Sequence, residues 1–201
     1  DMVEQAKMAN LNFIVNVILN RKRQIAHVVA GDPFKAHEQG CELERGIVGV
    51  KAPHKVDITI TTNSGAPLDL DLYQTCKGID TAARLTREGG VIIAISSCCA
   101  GIGPEDFLKV HAACRTPREV LQKVKREEPI GVQWENQILA RTQMKNDIYL
   151  ISGLPDETVR QMMMTPVKTV AEGLEKAFKA LGKDAEIAAI PEGPLVLPVL
   201  E

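Results

Sequence analysis

Residues 56–87, VDITITTNSGAPLDLDLYQTCKGIDTAARLTR, decide how the chain is read. Val56, Ile58 and Ile60 alternate with Asp57 and Thr59, the period-two pattern of a short strand. A polar loop follows, Thr61 to Pro67. Asp69 is the expected N-cap of a helix, and Asp71 falls in a first turn that favours acids. Leu72, Cys76, Ile79 and Ala83 recur at helical spacing and predict the stripe that faces the core. Tyr73 and Lys77 are four apart and Gln74 and Lys77 three apart, so these side chains meet on one face. Where a strand, a polar loop and a helix start converge, free backbone N–H groups point outward and bind anions. With the charge of Lys77 beside it, this corner is expected to take a small carboxylate or phosphate. The plainer alternative is a common strand–loop–helix unit that happens to carry one lysine.

Downstream, Gly89-Gly90 is the expected stop of that helix, and Val91 to Ile95 is a wholly apolar strand suited to a parallel sheet covered on both faces. The strand enters a second polar loop, residues 96–103, before a helix start at Pro104-Glu105-Asp106. Two such loops on neighbouring strands enclose the ligand crevice of an open parallel sheet. The small residues there serve equally well for a tight connection without a ligand. Helices are expected over 104–113, 116–127 and 130–145, the second with a capping-box pattern at Thr116 to Glu119. Trp134, the one tryptophan, reads as packing or as an indole N–H donor to a ligand. Arg141 reads as a solvated charge or part of the site. A strand over 147–152, helices over 155–164 and 169–181, a strand over 185–190 and an extended, proline-bounded end complete the pattern. The alternation from Val56 onward argues for a layered α/β/α domain with a mostly parallel sheet.

Upstream, residues 1 to about 9 read as a helix. Residues 12–19 and 24–30 read as a hairpin around the turn 20–23, and Asp32-Pro33 starts a helix expected to end at Gly40. A connector, 41–55, follows. Residues 1–45 are therefore expected to be the end of an adjoining N-terminal domain, and 46–201 the main domain. Asp1 falls inside what reads as a helix already under way, which suggests a piece of a longer protein.

Composition narrows the function classes. A net charge of −2 with no basic run gives nucleic acid nothing to bind, and 3% aromatic residues provide no stacking platform. No apolar run is long enough for a bilayer helix, so no membrane partner is expected. The five cysteines, an odd number without framework spacing, suggest reduced thiols and a cytoplasmic protein. Cys98-Cys99 and His111 with Cys114 lack the second pair that a metal site needs, so no metal ligands are expected.

Four stretches together resemble the C-terminal portion of the lactate racemase family: TTNSGAPLDLDLYQTCKG (61–78), EGGVIIAIS (88–96), QWENQILAR (133–141) and IPEGPLVLP (190–198). That family comprises nickel-dependent 2-hydroxyacid racemases with a nickel-pincer nucleotide derived from nicotinic acid mononucleotide. The resemblance implies a two-domain isomerase with its active site in the cleft between domains. It also implies hydride abstraction and return at the cofactor. Tyr73, Gln74 and Lys77 fall on substrate-binding positions, with Lys77 also the catalytic candidate, and Trp134 on the tryptophan lining the pocket. The family's cofactor-bearing lysine, nickel-binding histidine and base histidines belong to the N-terminal domain, so His27, His37, His54 and His111 receive none of those roles. Two other readings compete: a stand-alone module binding phosphate or nucleotide, and a structural or dimerisation domain.

Overall fold

Asp32 and Pro33 start a helix as their types require: Asp32 Oδ1 accepts from the backbone N–H of Phe34 and Lys35, and Pro33 occupies the first helical position. The computed structural model describes residues 2–20 and 22–201. Asp1, where the first predicted helix opens, and Arg21, in the predicted turn, lie outside the described residues. The chain divides into two units, Asp1–Val50 and Lys51–Glu201.

In the first unit, α1 (Met2–Met8) precedes an antiparallel hairpin of β1 (Ile14–Leu19) and β2 (Ile25–Gly31), then α2 (Pro33–Val48). The expected stop at Gly40 is wrong, and most of the expected connector is helix. Ala36, Leu43 and Ile47 of α2 pack on Ile14, Ile18 and Val29 of the hairpin, and this apolar stripe outweighs the roughly 1 kcal/mol a helical glycine costs. A Cβ on Gly40 would stand 3.4 Å from Val29 Cγ2, so the bare glycine lets the helix lie close to β2 instead of ending there.

The second unit holds a five-stranded sheet: β4 (Val56–Thr62), β5 (Thr86–Ile95), β6 (Asp147–Ile151), β7 (Thr165–Pro166) and β8 (Ile187–Ile190). Their order is β7-β6-β5-β4-β8, and every pairing is parallel. A short strand at the division, β3 (Gly49–Ala52), was not expected from the sequence; within the second unit its Ala52 carbonyl accepts from Glu201 N at 3.1 Å, next to β9 (Leu197–Leu200).

Side chains on β5 divide by parity, as the pleat dictates. Ile92 and Ala94 enter one core with α3 (Leu72–Leu85), α4 (Glu105–Ala112), α6 (Gln133–Gln143) and α7 (Asp156–Gln161), beside α5 (Pro117–Arg126). Val91 and Ile93 enter the opposite core with α8 (Val170–Leu181), through Leu174, Ala177 and Phe178. This is why Val91 to Ile95 had to be apolar throughout, and it makes the unit the expected α/β/α sandwich. After β7 the chain crosses back through α8 to β8 on the far side of β4, so β4 and β8 flank a topological switch point.

Two local expectations fail at the edges of α3. Its N-cap is Asp71, not Asp69: Asp71 Oδ1 accepts from Gln74 N at 2.7 Å. Its end is Thr86, not Gly89-Gly90. Those glycines instead lie in β5, where the register with β4 shifts between Val56 and Ile58. A Cβ on Gly90 would come within 2.5 Å of Asp57 O, so glycine is needed there for the close approach of two strands.

Candidate functional site

Asn63 follows β4 directly and is buried. Its amide donates to Leu68 O and, at 3.0 Å, to Gln74 O, while its Oδ1 accepts from Gly78 N at 3.1 Å. One side chain thus ties the loop to the middle of α3. The helix can come so near because residue 78 is glycine: a Cβ there would meet Asn63 Oδ1 at 2.9 Å and Thr62 O at 3.1 Å. From the other side Gly193 packs on Gly78, its own missing Cβ lying 2.8 Å from Gly78 Cα. Thr61 Oγ1 donates to Ile190 O, and Thr62 Oγ1 to Pro191 O. The loops leaving β4 and β8 are clamped together against α3 at Gly78.

The expectation of outward-pointing N–H groups at the start of α3 is corrected here. Leu72 N and Tyr73 N donate to Gly101 O and Ile102 O, and Gln74 N and Thr75 N donate to Asp71 Oδ1 and Asp71 O. The helix start is filled by the chain itself. The loop after β5 does this: Cys98 N and Ser96 Oγ donate to Asp69 O, and Ala100 N donates to Leu70 O. Its small residues serve that packing, since a Cβ on Gly103 would stand 2.7 Å from Tyr73 Cβ. The loops the sequence offered as a phosphate cradle form a closed connection, which counts against a stand-alone phosphate or nucleotide module.

An exposed pair remains one turn further along. Lys77 Nζ donates to Gln74 Oε1 at 2.6 Å. That leaves the other ammonium hydrogens and the Gln74 amide hydrogens to donate outward, a donor set that matches a carboxylate. Tyr73 stands on the same helix with its ring edge-on between Phe107, at 5.7 Å, and Trp134, at 5.9 Å. Burial and the nearby Glu135, Asp71 and Cys76 push its hydroxyl above the ordinary tyrosine range. Trp134 lies in the first turn of α6 and is 50% exposed, so it is a wall and not core. The structure therefore brings Tyr73 into contact with Trp134, and Gln74 into contact with Lys77, on one stretch of surface.

Sequence reasoning missed Glu135. It is only 1% exposed, and its Oε2 is buried without a hydrogen-bond partner. Burial raises its carboxyl to about 7; the Lys77 ammonium pulls it down and Asp80 pushes it up. The available signal was position: Glu135 stands four residues before Leu139 and seven before Thr142, on the buried side of α6.

Arg141 is exposed and lines a separate hollow with Lys55, Asp80 and Arg84. His111 is buried and fixed by Asn136, whose amide donates to its Nδ1 at 2.7 Å; burial lowers its pKa to about 4, so it is neutral. His54 lies 2.7 Å from Glu186, and His37 Nε2 lies 3.6 Å from Cys41 Sγ. Among the described residues no three His, Cys, Asp or Glu side chains converge to hold a metal ion.

The comparisons with known proteins bear on this geometry. The family model "lactate racemase C-terminal domain" matches residues 51–197. The lactate racemase of Thermoanaerobacterium thermosaccharolyticum is 37% identical over 98% of this chain, and that of Lactiplantibacillus plantarum 36% over 96%. The chain spans about half the length of these curated relatives, 47% and 46% respectively. The solved lactate racemase apoprotein from T. thermosaccharolyticum superposes with a TM-score of 0.90 at 36% identity, covering 99% of this chain and 48% of that one. A Thermotoga maritima protein, 13% identical with a TM-score of 0.59 over 94% of this chain and 49% of its own, shares the fold.

Proposed function

The chain belongs to the lactate racemase family, matching its C-terminal domain, and from that premise we propose that it forms the substrate-holding side of a 2-hydroxyacid racemase. The observation that carries this reading is the Lys77–Gln74 pair, 2.6 Å apart and facing outward beside the Tyr73–Trp134 wall. The ammonium and the amide hydrogens hold the substrate carboxylate and hydroxyl. The indole and phenol rings close one side and limit water. A carboxylate fixed in this way presents the adjacent carbon in one orientation while its hydrogen leaves and returns, which is what interconversion of enantiomers requires.

The residues described do not suit a nickel centre. His111 is buried and committed to Asn136, and the other histidines gather no third donor. The nickel-pincer nucleotide is assigned, within this proposal, to the part of the longer relatives that this chain does not span. The steps that belong to this chain are binding and orientation. An apolar face on the hairpin, with Phe13, Val15, Ile25 and Val28 all exposed, supports a partner surface there. The five free cysteines favour the cytoplasm. Among the described residues no helix is long and apolar enough to cross a membrane.

The test is racemisation by the full-length, cofactor-loaded enzyme, offered single enantiomers of lactate and larger 2-hydroxy acids and followed by chiral chromatography. The opposite enantiomer is expected to appear, with kcat/KM falling roughly a hundredfold in Lys77→Ala, as expected for loss of a hydrogen bond to a charged group. No turnover across the panel, or turnover unchanged in Lys77→Ala, would overturn the reading.

A further inference from the structure

Glu135 has no part in the reading above, yet it is a buried carboxyl whose ionisation the central cation, Lys77, favours. Its side chain is 1% exposed, its Oε2 has no hydrogen-bond partner, and α6, which carries it, packs on α3. The groups that face it from α3 are Tyr73, Cys76, Lys77 and Asp80; Lys77 is the one cation among them. Tyr73 and Cys76 are held neutral by burial, which raises the pKa of both. A buried carboxylate with nothing donating to it is tolerated only beside a positive charge or with a proton of its own.

We propose that Glu135 is a positioning residue that links substrate binding to proton uptake: the Lys77 corner takes up a 2-hydroxycarboxylate together with one proton, and Glu135 holds that proton. This rests on the proposal that Lys77 holds the substrate carboxylate. When the corner is empty, the ammonium of Lys77 favours an ionised Glu135. A bound substrate carboxylate claims the same ammonium and adds a second negative charge. Two carboxylates sharing one cation do not both stay ionised cheaply, so the buried one takes a proton from solvent. No bond of the substrate changes in this step. The carboxyl already titrates near neutrality, so the linkage operates in the physiological range. Once Glu135 is neutral, the whole field of Lys77 acts on the substrate.

The test is calorimetric titration of the full-length protein with racemic lactate, which is already at equilibrium and gives no net reaction heat. It is run from about pH 5.5 to 9 in two buffers of different ionisation enthalpy, which together report protons taken up. The wild type is expected to bind with uptake approaching one proton above neutrality and with affinity falling toward tenfold per pH unit. Glu135→Gln, checked for cooperative unfolding, is expected to bind with a flat pH profile and no uptake. Asp80→Asn, which leaves the buried face intact, is expected to move the wild-type step to lower pH. A wild-type profile without the step, a step that survives Glu135→Gln, or a midpoint indifferent to Asp80→Asn would overturn the linkage. Lactate binding unaffected by Lys77→Ala would instead overturn the site itself, so the two failures are distinguishable.

Discussion

Glu135 and His111 are buried ionisable residues whose effects on stability run in opposite directions with pH. The carboxyl of Glu135 rises from an ordinary 4.5 to about 7 on folding. The folded state then keeps a proton that the unfolded chain releases, so the contribution of Glu135 is most favourable below 4.5 and is lost as pH rises to 7. His111 falls from 6.5 to about 4, so its contribution is present above 6.5 and is lost on acidification. Comparing Glu135→Gln with wild type at each of two pH values isolates the first effect, because His111 contributes equally to both proteins at any one pH. The variant is expected to match wild type in thermal unfolding at pH 5. At pH 8 it is expected to be more stable, by up to about 3 kcal/mol. A gap that is equal at both pH values would contradict this. Gly78 makes a second prediction: Gly78→Ala places a methyl 2.9 Å from Asn63 Oδ1 and 3.1 Å from Thr62 O, and should cost about 1–3 kcal/mol in urea unfolding. At this scale the contact of Gln74 with Lys77 was legible, because a helical spacing of three needs no tertiary knowledge. Glu135 offered only its place four residues before Leu139, and its acid type spoke against burial until the packing was known.

Helix α3 is the element on which the site depends, and its two anchors differ in weight. Asp71 caps it locally through Gln74 N, and Asp71→Ala should cost about 1 kcal/mol. Asn63 holds it from outside through Leu68 O, Gln74 O and Gly78 N. Asn63→Ala leaves buried partners unsatisfied, so it should cost about 3 kcal/mol. Because the carbonyl of Gln74 is one of those partners, Asn63→Ala should also raise KM for the substrate more than Asp71→Ala does; equal effects on KM would contradict that role. The sequence placed α3 correctly but misread its edges. Asp69 looks like a cap until the loop after β5, some thirty residues on, takes its carbonyl. Gly89-Gly90 looks like a helix stop until β4 is seen to approach Gly90 within contact distance. Both errors come from partners distant in sequence. The same cause undid half of the expected N–H corner, since Gly101 and Ile102 take the Leu72 and Tyr73 donors, while Asp71 takes those of Gln74 and Thr75.

Over the second unit the alternation of strands and helices was enough to foresee a parallel sheet between two helical layers. The fully apolar β5 was the strongest single sign, since each of its faces meets a different core. The two-residue β7 and the short β3 left too little pattern to be read. The crossover to β8 was also beyond the sequence, although the chain leaving β8 brings Gly193 against Gly78 of α3. The central claim of the proposed function is that the substrate carboxylate sits on the Lys77–Gln74 pair, against Trp134. The most direct measurement is a crystal structure of the full-length protein with lactate bound. The account predicts carboxylate oxygens at hydrogen-bond distance, about 2.7–3.2 Å, from Lys77 Nζ and the Gln74 amide. Lactate bound elsewhere, with Lys77 still donating to Gln74 and contacting no ligand, would contradict it.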